Sequence, residues 1–209
     1  GNSAMAANTT GANNVAVGAN ALDANTTEGS HTAVGYNALT ANTTGSENTG
    51  IGAYALNSNT TGNYNVAVGI DSLINNVSGA NNTAVGVDSL RNNTVSNNTA
   101  VGYFALEANT TGANNLAVGS YAMDVNTTGA SNVAVGKDAL GANTTANYNT
   151  AVGGGSLGAN TTGETNVAIG FDALNDNTTG GSNVAVGVNC LDANTTASDN
   201  TAVGYGALG

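Results

Sequence analysis

Residues 102–119 read GYFALEANTTGANNLAVG, and close copies of this phrase fill the whole chain of 209 residues. Each copy ends in Ala-Val-Gly or a near variant. Successive closing glycines lie 17 residues apart, except for one interval of 16 residues between Gly86 and Gly102. We call each copy a coil and number its positions from 1, the opening glycine, to 17. The coils begin at Gly1, Gly18, Gly35, Gly52, Gly69, Gly86, Gly102, Gly119, Gly136, Gly153, Gly170, Gly187 and Gly204.

The repeat runs through residues 1–209 without a linker or a change in composition. Internal repeats of this kind indicate one stacked architecture in place of several unlike domains. We therefore predict a single repeat domain over residues 1–209. The pattern is already in register at Gly1 and is still running at Gly209, so we expect the chain to be a fragment of a longer repeat array.

Composition removes several classes of function. Two basic residues stand against 13 acidic ones, for a net charge of −11, so binding to nucleic-acid phosphates or to an anionic membrane is not expected. No apolar run approaches the roughly 18 residues that a bilayer span needs, so we expect no membrane insertion by this segment. One cysteine and one histidine supply neither a disulfide nor a cysteine or multi-histidine metal site.

The residue pattern predicts strands and turns in place of helices. Glycine costs a helix about 1 kcal/mol, and asparagine and threonine favour turns and caps; no ten-residue stretch lacks them. Asn-Val-Ala-Val is short, β-branched and bounded by turn residues, as strands are. A second extended piece is predicted through Ala-Leu-x-Ala, with corners at Asn-Thr-Thr-Gly and at the opening glycine. The chain is therefore predicted to be all-β, a parallel β-solenoid of about twelve coils of 17 residues.

Stacked coils bring equivalent residues to about 4.8 Å from each other. Two apolar core columns are predicted, one of leucine at position 5 and one of valine at position 17. Asparagine at position 8 is predicted to form an amide ladder from coil to coil. The core columns include Leu22, Leu39, Leu56, Leu73 and Leu90 with Val17, Val34, Val68 and Val85, and the ladder includes Asn8, Asn25, Asn42, Asn59 and Asn76.

A thin coil of 17 residues buries little apolar surface by itself, because ordering each backbone residue costs about 1–2 kcal/mol. The free energy gained by burial within one chain is small beside the cost of ordering its backbone, which favours further burial against other copies of the chain. Both sides of Val-Ala-Val carry apolar atoms, and a face of small alanines would let a neighbouring backbone approach closely. We therefore expect a homo-oligomer, with the chain itself as its principal partner.

The phrases Asn-Val-Ala-Val-Gly, Asn-Thr-Ala-Val-Gly and Asn-Val-Ala-Ile-Gly resemble the core motif of YadA-like heads in trimeric autotransporter adhesins. The stretch at residues 35–45, Gly-Tyr-Asn-Ala-Leu-Thr-Ala-Asn-Thr-Thr-Gly, resembles repeats of phage and bacterial tail-fibre proteins. The resemblance covers the whole chain, although this coil is longer than the usual adhesin coil. It implies a left-handed β-roll, a homotrimer and a place on a cell surface or a virion tail fibre. The resemblance does not identify a receptor; a host-surface glycan or protein is the partner that we expect besides the chain itself.

No residue pattern points to catalysis, so no enzyme activity, cofactor or resident metal is expected. His31 has no recurring nucleophile or acid beside it and is predicted to replace an asparagine of a ladder. Cys190 takes a position where alanine and serine are usual, so we expect it to act as a small apolar residue. Stacked acids occur as Asp71 with Asp88 and as Glu107 with Asp124; solvated surface charge is the expectation, and a calcium site is the alternative.

The function predicted from these features is a structural and adhesive segment of an extracellular fibre, an adhesin head or tail-fibre shaft that mediates surface attachment. Two alternatives remain. One is a self-assembling extracellular filament or sheath, with glycosylation at exposed Asn-x-Thr corners. The other is an ice-binding solenoid that uses its threonine rows. The candidate glycosylation acceptors are Asn25, Asn42, Asn109, Asn126 and Asn160.

Overall fold

The computed structural model describes all residues from Gly1 to Gly209. The fold is an all-β parallel β-solenoid of about twelve coils with no helix, as predicted, and each coil contributes one strand of three residues. The strands are β1 Val15–Val17, β2 Thr32–Val34, β3 Thr49–Ile51, β4 Val66–Val68, β5 Thr83–Val85, β6 Thr99–Val101, β7 Leu116–Val118, β8 Val133–Val135, β9 Thr150–Val152, β10 Val167–Ile169, β11 Val184–Val186 and β12 Thr201–Val203.

The coils form two compact units, Gly1–Val101 and Gly102–Gly209. Within each unit, consecutive strands pair in parallel and in register. In the first unit Ala16 lies opposite Ala33, and in the second Ala168 lies opposite Ala185. This pairing places each residue beside the residue at the same coil position in the next coil, which is the stacking that the repeat predicts.

The core of each coil is made of leucine, alanine and asparagine. Away from the two ends of the chain, the leucines at position 5 are fully buried, and so are the small residues at positions 4 and 16. The asparagines at positions 8 and 14 are buried as well in all coils except those near the two ends. The interior is therefore about half polar, and its amides must all find hydrogen-bond partners.

The valine column at position 17 does not lie in the core, contrary to the prediction for Val17, Val34, Val68 and Val85. Val17 is 57% exposed and the other three are partly exposed, whereas the small residue between the two outward residues is buried in every strand after β1. The surroundings of Gly50 explain why the residue at position 16 faces the interior and the valines do not. A Cβ built on Gly50 would lie 3.1 Å from the Ala55 carbonyl oxygen and 3.3 Å from Leu39 Cγ. The interior at position 16 holds a methyl group and nothing larger.

The Ala-Leu segment is a turn and not the second extended piece that we predicted. The leucines at position 5 are left-handed, with φ of 54° at Leu22 and 52° at Leu39. That conformation costs an L-residue roughly 1–2 kcal/mol. The cost is offset because the leucine side chain is buried and its N–H bonds the next coil, as Leu22 N does to the Ala38 carbonyl at 3.0 Å.

The glycine at position 1 is required by its backbone. Gly18 has φ of 140°, and a Cβ there would collide with the carbonyl group of Gly35 in the next coil. In turn, Gly35 N donates to the Val17 carbonyl at 2.8 Å. The glycines thus stack backbone on backbone, which explains why position 1 admits no side chain.

The coil from Gly86 to Val101 is the short one, and its missing residue belongs to the Asn-Thr-Thr turn. Asn93 Nδ2 donates to the carbonyl two residues ahead, Val95 O, at 2.7 Å. In the preceding coil, Asn76 Nδ2 donates three residues ahead, to Gly79 O, at 2.9 Å. The strand that follows, β6, keeps its register with β5, so the deletion is absorbed within the turn.

Candidate functional site

The asparagines at position 8 form the predicted ladder. Asn59 Nδ2 donates to Asn42 Oδ1 at 2.9 Å in the preceding coil and to its own turn at Gly62 O at 3.0 Å. Asn76 Nδ2 repeats the pattern with Asn59 Oδ1 at 3.0 Å. Each side chain therefore closes the Asn-Thr-Thr-Gly turn of its own coil and also joins two coils. The same ladder contains Asn8 and Asn25, whose side chains bond at 3.1 Å.

A second ladder runs through position 14 and uses the backbone. Asn65 N donates to Asn48 Oδ1 at 2.9 Å, while Asn65 Nδ2 donates forward to Gly79 O at 2.8 Å. The sequence marks this position by its recurring asparagine. In this ladder the side-chain oxygen accepts from the backbone N–H of the next coil. The position 8 ladder, by contrast, joins side-chain amides to one another.

His31 occupies position 14 of its coil and takes over the asparagine's hydrogen bonds. Its N–H donates to Asn14 Oδ1 at 2.9 Å, and its Nδ1 accepts from Asn48 N at 3.2 Å. The ring is 1% exposed. Burial lowers the pKa of His31, and the Gly45 backbone and the Glu28 carboxylate oppose this effect. The ring is thus a neutral ladder member.

The candidate glycosylation acceptors do not present their side chains to solvent. Asn25, Asn42, Asn109, Asn126 and Asn160 are all fully buried. Asn126 Nδ2 donates both of its hydrogens, one to Asn109 Oδ1 at 2.9 Å and one to Gly129 O at 3.0 Å. N-glycosylation would replace one of those hydrogens with a sugar, so the folded ladder is incompatible with modification at these sites.

Cys190 and the stacked acids do not form a metal site. Cys190 is a free, fully buried thiol. Partial burial raises the pKa of Asp88, with Asp71 adding to the effect and Arg91 opposing it. Burial likewise raises the pKa of Asp124, with backbone hydrogen bonds opposing and Asp138 and Glu107 adding to it. No group of three or more His, Cys, Asp or Glu side chains is placed to hold a metal ion.

The threonines at position 9 turn their hydroxyls toward the neighbouring coil. Thr43 Oγ1 donates to Thr60 O at 3.1 Å, and Thr178 Oγ1 donates to Thr195 O at 2.9 Å. Because these hydroxyls donate to backbone carbonyls of the neighbouring coil, they have no proton available to donate to ordered water. This geometry does not favour the use of that row as an ice-binding surface.

The outer strand face, made of positions 15 and 17 of every coil, is a surface that we had not predicted. These positions lie on the side of the strand opposite the buried alanine at position 16. Position 17 is always valine or isoleucine, and position 15 is valine, threonine or, at Leu116, leucine. None of the 13 acidic residues lies on this face. Ile51 and Ile169 are 38% and 41% exposed there.

Aromatic rings gather just beyond the opening glycine, at positions 2 and 3. Tyr103 contacts Phe104 at a centroid distance of 4.3 Å and Tyr121 at 5.5 Å. Tyr36 and Tyr54 meet edge to face at 5.3 Å. The tyrosines at these positions are exposed, so the rings form clusters on the surface and do not contribute to the core.

Comparisons of the chain with family models, with curated proteins and with solved structures found no match. The structure also has no helix with the length and apolar character needed to span a membrane. What the structure establishes is a β-solenoid with a repeat of 17 residues and asparagine ladders.

Proposed function

We propose that this chain is a segment of an extracellular, homo-oligomeric fibre that mediates surface attachment, as an adhesin head or a tail-fibre shaft. The observation that carries the proposal is the uncharged outer strand face on a chain of net charge −11. Exposed apolar surfaces of this kind mark interaction sites in soluble proteins. Charge is absent from this apolar surface, which recurs in every coil and on which copies can align side by side.

The side chains of this face suit close packing between copies. Valine and isoleucine lose little side-chain freedom on burial because they are stiff at χ1. Burying apolar surface contributes about 25 cal/mol per Å², and the repeat multiplies this gain coil by coil. The face also replaces the alanine surface that the sequence had suggested for the interface, since the alanines are buried within the coil.

A trimer is the assembly that we propose, on the resemblance of the Asn-x-Ala-Val-Gly repeats to YadA-like adhesin heads. Solenoid segments fit the role of a spacer, because their length changes by whole coils without altering the contacts of the others. The exposed tyrosines beyond the opening glycine give the fibre surface aromatic groups for contact with a receptor.

The test is the mass of the assembly in solution. Light scattering is expected to give three chain masses for the wild type and one chain mass for Val118→Asp, which puts a charge on the outer strand face. Thr111→Asp, an exposed turn residue of the same coil, is the matched control and keeps the wild-type mass. A monomeric wild type contradicts the proposal. A mass that grows with concentration beyond a trimer favours the filament alternative.

A further inference from the structure

One coil interrupts the regular surface with a notch. The coil that starts at Gly153 has glycine at positions 2, 3 and 6, namely Gly154, Gly155 and Gly158. Other coils carry larger side chains at some or all of these positions. The missing side chains leave a cavity of about 420 Å³, which lies wholly within the second unit. This size is within the range of small-molecule sites, roughly 300–1,000 Å³.

One wall of the notch is an aromatic ring. Phe171, at position 2 of the next coil, is 58% exposed. A Cβ built on Gly154 would lie 3.6 Å from its Cδ2 atom, so the ring borders the space that a side chain at residue 154 would fill. The face of an aromatic ring carries partial negative charge and attracts the weakly positive hydrogens of aliphatic C–H groups.

The floor of the notch has its backbone hydrogen bonds satisfied. Gly154 O accepts from Asp172 N at 3.0 Å. Gly155 O accepts from Gly158 N at 3.0 Å and from Asn175 Nδ2 at 2.7 Å. A ligand in the notch therefore meets glycine Cα groups below it. Its polar groups have to be matched by the side chains of the rim.

The rim of the notch supplies polar side chains, namely one lysine and two aspartates. Lys137 and Asp138 border the cavity on one side and form an ion pair at 3.1 Å. Asp172 borders it on the other side, next to the Phe171 ring, and a Cβ on Gly155 would strike its carboxylate. Carboxylates accept hydrogen bonds from hydroxyls, and the lysine donates to oxygen.

We propose that the glycine notch is a binding site for one neutral hexopyranose residue of a glycan. A pyranose ring has an apolar C–H face for the Phe171 ring and hydroxyls on its edge for Asp138, Asp172 and Lys137. A negatively charged sugar would meet two carboxylates on a chain of net charge −11. The proposal rests on the attachment function proposed above and names the partner class of that function.

The experiment titrates the assembled chain with the methyl glycosides of glucose, galactose, mannose and N-acetylglucosamine, followed by saturation-transfer NMR and by the amide shifts of Gly154, Gly155 and Gly158. At least one glycoside is expected to bind and to shift these amides. Phe171→Ala is expected to weaken that binding at least tenfold. Gly158→Asn, which copies position 6 of the next coil, fills the notch and abolishes binding. Tyr148→Ala, an exposed aromatic at position 13, is the control and binds as the wild type does.

Three results would overturn the notch proposal: no glycoside shifts the three glycine amides, the Phe171→Ala and Gly158→Asn variants bind as the wild type does, or a lysine-containing peptide or a sialic acid binds there in place of the neutral sugars. The mass of each sample is measured in parallel. A trimer that ignores the glycosides contradicts only the notch, whereas a monomeric wild type contradicts the fibre proposal whatever the glycosides do.

Discussion

His31 stands where other coils carry asparagine, and its ring meets the same hydrogen-bonding demands with a group that titrates. Its Nδ1 must stay unprotonated to accept from Asn48 N, and burial lowers its pKa from the ordinary 6.5. The unfolded chain therefore takes up a proton at higher pH than the folded chain does. The contribution of His31 to stability is therefore fully present above pH 6.5 and is lost as the pH falls below it.

We expect NMR titration of the His31 ring to give a pKa below 6.5, and thermal unfolding to occur at a lower temperature at pH 5 than at pH 8. His31→Asn restores the residue that the other coils use and removes this share of the pH dependence. A His31 pKa above 6.5, or equal pH dependence in His31→Asn, would contradict the assignment.

The left-handed leucines show what the sequence could not predict at the scale of the residue. Leucine at position 5 recurs so strictly that its burial follows from the pattern alone. Its backbone does not, because local preference disfavours φ near 50° for leucine and only the stacked coils reward it. Asparagine, by contrast, combines turn preference with a ladder-forming amide, and its role was readable from the sequence.

At the scale of the element, the strand shows why a sequence pattern of period two does not determine which face of the strand is buried. Val-Ala-Val has apolar atoms on both sides, so alternation separates the faces without saying which one is inside. The narrow coil decides, because Leu39 and the Ala55 carbonyl leave space for one methyl group at position 16. The two larger side chains of each strand must then point outward. That outward face, which carries the functional proposal, follows from the width of the interior and not from the sequence pattern.

The short turn of the coil from Gly86 to Val101 breaks the position 8 ladder and leaves a buried defect. Asn76 Oδ1 is buried without a hydrogen-bond partner, although the matching oxygen of Asn59 accepts from the next ladder asparagine at 3.0 Å. Inserting a threonine after Asn93 together with Val95→Gly restores the Asn-Thr-Thr-Gly turn, and the Asn93 amide is then expected to donate to Asn76 Oδ1. We expect this variant to be more stable by about 1–3 kcal/mol, the cost of one unsatisfied buried polar group.

Denaturant unfolding checks the repaired turn against Val95→Gly alone. The single substitution leaves the turn one residue short and the Asn76 oxygen unpaired, so it is expected to bring no gain. A repaired chain that unfolds at the same denaturant concentration as this control, or at a lower one, would show that the shortened turn carries no penalty.

At the scale of the whole molecule, charge and the outer strand face act in opposite directions. Every chain carries a net charge of −11, which makes copies repel one another, and the acidic residues lie in the turns and not on the strands. In the proposed assembly, the outer strand face would hold the copies together through apolar burial, which salt does not screen. An assembly built in this way differs from one held together by ion pairs in the sign of its salt dependence.

We therefore expect association to tighten as salt is added. The screening length falls from about 30 Å at 0.01 M to about 8 Å at 0.15 M, which weakens the repulsion between chains and leaves the apolar contact intact. Sedimentation at the two salt concentrations should show the dissociation constant falling several-fold at the higher one. Val118→Asp should remain a monomer at both, because screening does not remove the cost of burying a carboxylate. If salt instead dissociated the wild-type assembly, its interface would consist of ion pairs. The uncharged strand face would then lie outside the interface, which would contradict the proposal.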